Sequence, residues 1–467
     1  MKLRFYNSLS KRKEVFKPII DGAVGIYTCG PTVYDYSHIG NFRTFVFEDL
    51  LKRWLLHLEY DVLHIMNITD LDDKTIARAK RENTDLGSIT NRFTNYFLKD
   101  LEWLKIIPAN QFPRATKSIN RIIQIIKVLL EKKHAYVESD GSVYFDIQSY
   151  PGYGSLAKVK IKNKKAINRV IDDEYSKESP QDFALWKCWK EEDGEVVWDS
   201  PWGKGRPGWH IECSAMSFDA LGPHFDIHCG GVDNMFPHHE NEIAQSICYT
   251  ENKFVNYWLH SEFLLVDGAK MSKSSGNFYT ISELKDIGFS SESVRYQLLI
   301  GHYRSKISFS FSKKQESDKI IQKLIKFRSL LRENNAQVEN DAALPESYYE
   351  FRNAMNDDLN VPKALGIFFL WMKKEAVRIK NGSCALASIN SAWNYLNAFN
   401  SIFALIPEKK LNVPEKIKKL INLRENARVK KDWSSSDELR KAINDEGWIV
   451  EDTASGQSLK KDERIKS

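Results

Sequence analysis

The 467-residue sequence predicts an α/β fold on a parallel sheet, interrupted by an insertion and followed by an all-α helical bundle and a small C-terminal domain. Three observations predict it. Strand-like and helix-like stretches alternate over 23–82 and again from 224 onward, the rhythm of parallel strands joined by crossover helices. Residues 116–202 break that rhythm. After about residue 315 the strand patterns vanish and amphipathic helices take over.

In chain order, "AVGIYTC" (23–29) reads as a buried strand that stops at a Gly-Pro turn. A Tyr-rich loop leads to His-Ile-Gly at 38–40, where a helix pattern begins; its apolar spacing is clear over 42–58. "DVLHIMN" (61–67) is a second strand, and "DLDDKTIARAKRE" opens a second helix with Asp70 as its expected N-cap. Asp70, Asp72 and Asp73 fit first-turn capping better than acid catalysis. Within the insertion, a helix is expected at 117–133 and a strand at "GSVYFDI". A basic strip follows, with Lys158, Lys160, Lys162, Lys164, Lys165 and Arg169. The α/β pattern returns at "HFDIHCGG" and "NYWLHSEFLLVDG". "SDKIIQKLIKFRSLLREN" and "ALGIFFLWMKKEAVRI" are helices of the bundle, and "PEKKLNVPEK" reads as a linker. Beyond it, 416–431 is strongly basic, which describes a solvated helix face or a phosphate-contacting one.

Hydrophobic residues make up 42% and charged residues 28% of the chain, an ordinary globular balance. A net charge of +6 is compatible with a polyanionic partner. The N-terminus has no apolar stretch suited to a signal peptide, and no run reaches the roughly 20 apolar residues of a membrane span. A cytoplasmic protein without membrane contact is expected. The six cysteines, at 29, 188, 213, 229, 248 and 384, form no CxxC pair. In that compartment they are free thiols or metal ligands rather than disulfides.

Two stretches carry chemistry. His38-Ile39-Gly40 lies at a strand–loop–helix junction, where a helix N-terminus attracts phosphate and a glycine permits close approach. "DGAKMSKSSGN" (267–277) holds Lys270 and Lys273 among small polar residues, suited to a loop that closes on phosphate. Alone, the first fits a loop histidine that caps a helix and the second a surface loop; together they are specific.

These motifs, with "YTCGPTVYDYSHIGN", "NITDLDDK", "GRPGWHIECSAM" and "DIHCGGVDNMFPHHENEIAQ", resemble the cysteinyl-tRNA synthetases, a class I aminoacyl-tRNA synthetase family. The resemblance covers the whole chain and is loosest after about residue 315. It implies a Rossmann-like catalytic domain at 1–115 and 203–295, a connective insertion at 116–202 and a stem-contact segment at 296–322. A helical bundle at 323–407 and an anticodon-binding domain at 408–467 would follow. It further implies ATP-dependent activation of L-cysteine to cysteinyl-adenylate, with Mg2+ accompanying ATP, and transfer to the 3′ end of tRNA(Cys). The chain is expected to be a monomer.

By the same resemblance one zinc ion, bound by Cys29, Cys213, His238 and Glu242, selects the substrate thiolate. Thiolate, imidazole and carboxylate are zinc ligands in type. His239 is expected on another helix face and Cys229 at a strand end, neither as a ligand. Thr69, Trp209, His228 and Asp233 match cysteine-pocket positions. His38, Gly40, Asn41, Lys270 and Lys273 match ATP-contacting positions, with His38 and the two lysines catalytic. Asn41 stands where the full signature has a second histidine. Arg428, Asp437 and Asp452 match anticodon-reading positions. Trp433 is expected to pack into its own small domain, with stacking on an unpaired base as the alternative. Two rivals are a cysteine ligase acting on an amino sugar and a non-catalytic RNA-binding paralogue. The basic C-terminal segment disfavours the first, and the intact motifs the second.

Overall fold

A computed structural model describes residues 1–159, 169–170, 181–271, 277–339, 343–407, 413–429, 432–453 and 456–461. They fall into two compact units, Met1–Ile406 and Pro407–Ser467.

The first unit is organised by a four-stranded parallel sheet. Its order is Val255–Ser261, Phe225–Gly231, Ala23–Thr28, Asp61–Met66. Chain order therefore reverses between Ala23–Thr28 and Phe225–Gly231. Crossovers leave those two neighbours in opposite directions, which opens a crevice beyond their carboxyl ends. The helix after the first strand, α1 (Ile39–His57), buries Phe42, Phe45, Val46, Leu50, Leu51 and Trp54 against the sheet and the helical region. It begins three residues before the apolar spacing becomes clear, because His38 caps it. The His38 ring Nδ1 accepts from Asn41 N at 3.3 Å, and Asn41 Oδ1 accepts from His38 N at 3.0 Å.

Helix α2 (Asp73–Arg81) is capped by Asp72, not by Asp70 as expected. The Asp70 carboxylate is instead drawn away by Thr116, whose N and Oγ1 donate to it at 3.0 and 2.7 Å. Asp73 pairs with Lys187 at 3.1 Å and with Arg206. Helix α3 (Leu86–Trp103) follows, and its Phe97 packs on Phe42 and Phe45 of α1.

In the insertion, α4 (Ile119–Glu131) covers a mixed sheet of Ala135–Val137, Val143–Phe145, Asp182–Cys188 and Arg169–Val170. Gly205–Pro207 also pairs with Asp182–Cys188. Of the basic strip, Lys160, Lys162, Lys164 and Lys165 lie outside the described residues. The chain then enters α5 (Trp209–Leu221) and α6 (Glu240–Thr250). A small sheet, α7 (Ile281–Asp286) and α8 (Ser291–Leu299) complete this part.

The helical region is α9 (Lys314–Glu333), α10 (Glu346–Asn356), α11 (Val361–Lys380) and α12 (Leu386–Phe403). Phe368 stacks on Phe399 at 3.7 Å in its core. It is tied to the sheet region by buried Arg295, which donates to Asp49 at 2.7 Å and to the carbonyls of Leu104 and Phe403.

The second unit holds α13 (Glu415–Val429), α14 (Trp433–Asp445) and a hairpin, Trp448–Thr453 with Gly456–Lys461. Strands therefore return after residue 315, contrary to the expectation. Trp448 and Val450 alternate inward with Ile417 and Ile443 to form a core, a period-2 signal too short to stand out in a polar stretch. No helix among the described residues is long and apolar enough to cross a membrane.

Candidate active site and metal centre

A cleft of about 610 Å³ opens at the point where the sheet order reverses. Its walls include Cys29, His38, Gly40, Asn41, Trp209 and Asp233. The two signature stretches meet there. Ile39 N donates to Tyr279 O at 2.8 Å, and the His38 ring meets Phe278 edge-on at 4.7 Å. Met271 and Phe278, which flank the lysine-bearing loop, both line the cleft. A Cβ on Gly40 would lie 2.2 Å from Met271 Cε and 2.9 Å from the His38 ring, so a side chain here would displace Met271 and press on the capping ring. Gly30 is equally constrained, since a Cβ there would sit 1.7 Å from Asn67 O. The backbone of Lys270 pairs with Leu265. Its side chain, and all of Lys273, lie outside the described residues.

Behind and at the wall of the cleft, Cys29, Cys213, His238 and Glu242 bring one ligand atom each within 4.8 Å of one another, with Cys213, His238 and Glu242 buried and Cys29 half-buried. Cys29 directly follows the sheet strand Ala23–Thr28; Cys213 lies on α5; His238 and Glu242 flank the start of α6. The donor set fits a metal ion. Glu242 Oε1 lies 3.0 Å from His238 Nε2 but is buried without a hydrogen bond, as two ligands facing a common ion would be. The protonation pattern agrees. Hydrogen bonding with Cys29 brings the Cys213 thiol down to about 6, while the same contact and burial push Cys29 well above its ordinary value. Burial opposes charge on His238, yet the Cys213 and Glu242 anions raise it to about 10. Burial also opposes charge on Glu242, but His228 and His238 hold it at about 2. A cation entering this cluster displaces protons that already neutralise a concentration of negative charge. This buried cluster could bind a metal.

The expectation that His239 points away is corrected. His239 Nε2 lies 3.2 Å from Cys29 Sγ, and Cys29, His228, His239 and Glu242 form a second group with metal-ligand spacing. The reason is that α6 has no outer face at its start: Glu240 through Ser246 are all buried. Two adjacent histidines therefore both point inward. Cys229 is buried in its strand and belongs to neither group.

Of the four cysteine-pocket positions, Trp209 and Asp233 line the cleft. Trp209 also stacks on the His238 ring at 4.3 Å. Thr69 and His228 do not line it. Thr69 Oγ1 accepts from Asn67 Nδ2, and His228 is wholly buried with Nε2 3.0 Å from Glu242 Oε2. Sequence reasoning missed Glu48, an acid on the apolar face of α1 whose pKa burial pushes well up. Its only signal was a charge amid the helix's hydrophobic stripe.

In the second unit, Asp452 accepts from Arg424, Arg428 and Arg440 at 2.9, 3.1 and 2.6 Å, and Asp437 lies 4.0 Å from Arg440. The three expected anticodon positions are thus neighbours. Trp433 is 57% exposed, contrary to the expectation that it packs inward. The Arg428 guanidinium lies over its ring, and Trp448 occupies the core instead.

Residues 15–319 match the family described as tRNA synthetases class I (C) catalytic domain, and 350–406 match the DALR domain. The cysteine–tRNA ligase of Chlamydia abortus (strain DSM 27085 / S26/3) is 45% identical over 466 residues, covering 98% of each chain. That of Brachyspira hyodysenteriae (strain ATCC 49526 / WA1) is 45% identical over 471 residues, covering 98% of this chain and 99% of its own. In fold, the chain is similar to Mycobacterium tuberculosis methionyl-tRNA synthetase in complex with methionyl-adenylate. The TM-score is 0.58 at 12% identity, covering 89% of this chain and 96% of the other. The parallel-sheet region with its paired signature motifs is a class I synthetase Rossmann-like catalytic domain followed by a helical DALR domain, and the chain belongs to the cysteine–tRNA ligase family.

Proposed function

We propose that the chain activates L-cysteine with ATP and transfers it to the 3′ end of tRNA(Cys). The observation that carries this is that Cys29 belongs both to the buried metal-capable cluster and to the wall of the cleft that holds His38. An amino-acid side chain can thus reach the metal position while its carboxylate faces the nucleotide site.

In adenylation, the cysteine carboxylate attacks the α-phosphorus and pyrophosphate leaves. Positioning and charge stabilisation suffice, and no protein nucleophile is needed. Because His38 Nδ1 accepts the cap hydrogen bond from Asn41 N, the ring proton resides on Nε2, a donor for a phosphate oxygen. Asn41 spends its Oδ1 on the same cap, so only its amide hydrogens remain for nucleotide. Lys270 and Lys273 would neutralise charge on the phosphates. Asp233, exposed at the cleft, suits the substrate ammonium, and Trp209 walls the pocket beside His238. In the second step a terminal ribose hydroxyl attacks the acyl carbonyl and AMP departs.

Cys29, Cys213, His238 and Glu242 would hold zinc. Bound there, zinc supplies a Lewis acid that favours a thiolate over a serine hydroxyl. The Arg428–Asp437–Asp452 cluster and exposed Trp433 suit the anticodon, and the basic face of α13 suits tRNA phosphates. Amino-acid-dependent ATP–pyrophosphate exchange, run with each of the twenty amino acids, tests the reading. Exchange is expected with cysteine and not with serine, and cysteine exchange is expected to vanish on metal removal. Strong serine activation by the zinc-loaded protein would refute zinc selection; exchange with some other amino acid alone would refute the cysteine reading.

A further inference from the structure

We propose that Tyr36 and Tyr96 form a stacking platform at the rim of the cleft for an unpaired base in the 3′-terminal strand of the tRNA. This rests on the reading that tRNA is the acyl acceptor.

Tyr36 lines the cleft, two residues before His38. Tyr96 comes from α3, and each of the two tyrosines is 41% exposed. Their centroids are 4.8 Å apart with the ring planes tilted at 57°. Two large aromatics in mutual contact yet open to water leave apolar surface that folding has not buried. Beneath them Phe93, 2% exposed, meets Tyr36 edge-on at 5.3 Å. The guanidiniums of Arg78 and Arg92 lie 5.0 and 4.7 Å from the Phe93 ring. Asp35 and Glu82 hold these arginines in place.

Planar rings interleaved with planar cations are the chemistry that takes an unpaired base and its phosphate. The platform is also rigid relative to the reacting centre. Phe97, one turn along α3, packs on Phe42 and on Phe45, and Phe45 is itself part of the cleft wall. A 3′ end must be single-stranded to deliver its ribose hydroxyl into the cleft, so its last bases pass this rim with their faces available.

The test uses full-length protein with Tyr96→Ala and Tyr96→Phe. Three quantities are measured: cysteine-dependent pyrophosphate exchange, charging kcat/KM for tRNA, and quenching of 2-aminopurine placed at the 3′-terminal position of the tRNA. Exchange is expected to be unchanged in both variants. Charging by Tyr96→Ala should fall roughly ten-fold, the order of one lost stacking contact. It should recover with Tyr96→Phe, and the quenching should weaken in the alanine variant only. Unchanged charging and quenching in Tyr96→Ala would overturn the proposal. So would equal losses in both variants, which would assign the effect to the Tyr96 hydroxyl rather than to its ring. A raised KM for ATP in exchange would give the platform to adenine and overturn it as well. If the unsubstituted protein shows no cysteine-dependent exchange, the ligase reading itself fails, a result that does not involve Tyr96.

Discussion

Cys213 and Cys229 are both buried thiols beside the same sheet, but only Cys213 shares a ligand-sized space with Cys29, His238 and Glu242. Metal analysis should find about one zinc per chain, as expected of a single mononuclear site. Most of it should be lost from Cys213→Ser and kept by Cys229→Ser. His238→Ala and His239→Ala separate the two possible ligand groups, since only the first should release zinc. Retention by His238→Ala with loss from His239→Ala would move the site to the second group. Gly40 offers a different check. Alanine in a helix is normally stabilising by about 1 kcal/mol relative to glycine. Here its Cβ would press on Met271, which can swing aside, and on the His38 ring, which cannot move without losing its cap. Gly40→Ala is expected to keep or raise the melting temperature while lowering exchange kcat/KM by roughly ten-fold or more. Unaltered exchange would show that His38 does not need its cap geometry.

Helix α3 meets α7 through Asp100, whose carboxylate lies 3.6 Å from Lys285 Nζ. Burial pushes Asp100 up to about 6, and Lys285 offsets only part of that. The folded chain therefore holds this proton more tightly than the unfolded chain, whose aspartate titrates near 3.8. The carboxylate costs nothing below that lower value. Its destabilising effect grows as pH rises to about 6 and stays constant above. Asp100→Asn should accordingly stabilise the protein at pH 7, by up to about 1 kcal/mol once solvent screening is allowed for. The gain should shrink as pH is lowered toward 4. Thermal melts of both proteins across that range check it, and a loss of stability at pH 7 would mean the Lys285 pair dominates. The ends of α1 and α2 show the limit of local reading. Periodicity located both helices. A helix-capping histidine at 38 was one of the readings the sequence offered, and His38 does cap α1; periodicity did not show that Thr116 would recruit Asp70 and leave Asp72 to cap α2.

Each of the two units has its own hydrophobic core. The first contains the whole cleft and the metal-capable cluster. Deleting 408–467 is therefore expected to spare cysteine-dependent exchange and to lower tRNA charging by well over ten-fold, as loss of several phosphate and base contacts does. Charging at the full-length rate by the folded truncation would remove the C-terminal unit from tRNA recognition. The three-part pattern of α/β sheet, insertion and helices was legible because strands and helices differ in hydrophobic period over windows of a dozen residues. The C-terminal hairpin was not, because its inward positions are few and its flanks polar.

Local chemistry is what a chain displays directly. The strand ending at Cys29, the turn before His38, the glycine that helix approach requires and the paired lysines of 267–277 all follow from neighbours in sequence. The resemblance to a synthetase family followed from those motifs. Which thiols and imidazoles converge depends instead on sheet order, and sheet order is set by long-range pairing. Cys29 and His239 are 210 residues apart in the chain and 3.2 Å apart in space. Two parallel strands at the point where the order reverses bring them together, and a helix whose first two turns are buried all round turns both histidines inward. The rim pair Tyr36–Tyr96 arises in the same way, since only the packing of α3 on α1 sets one ring against the other.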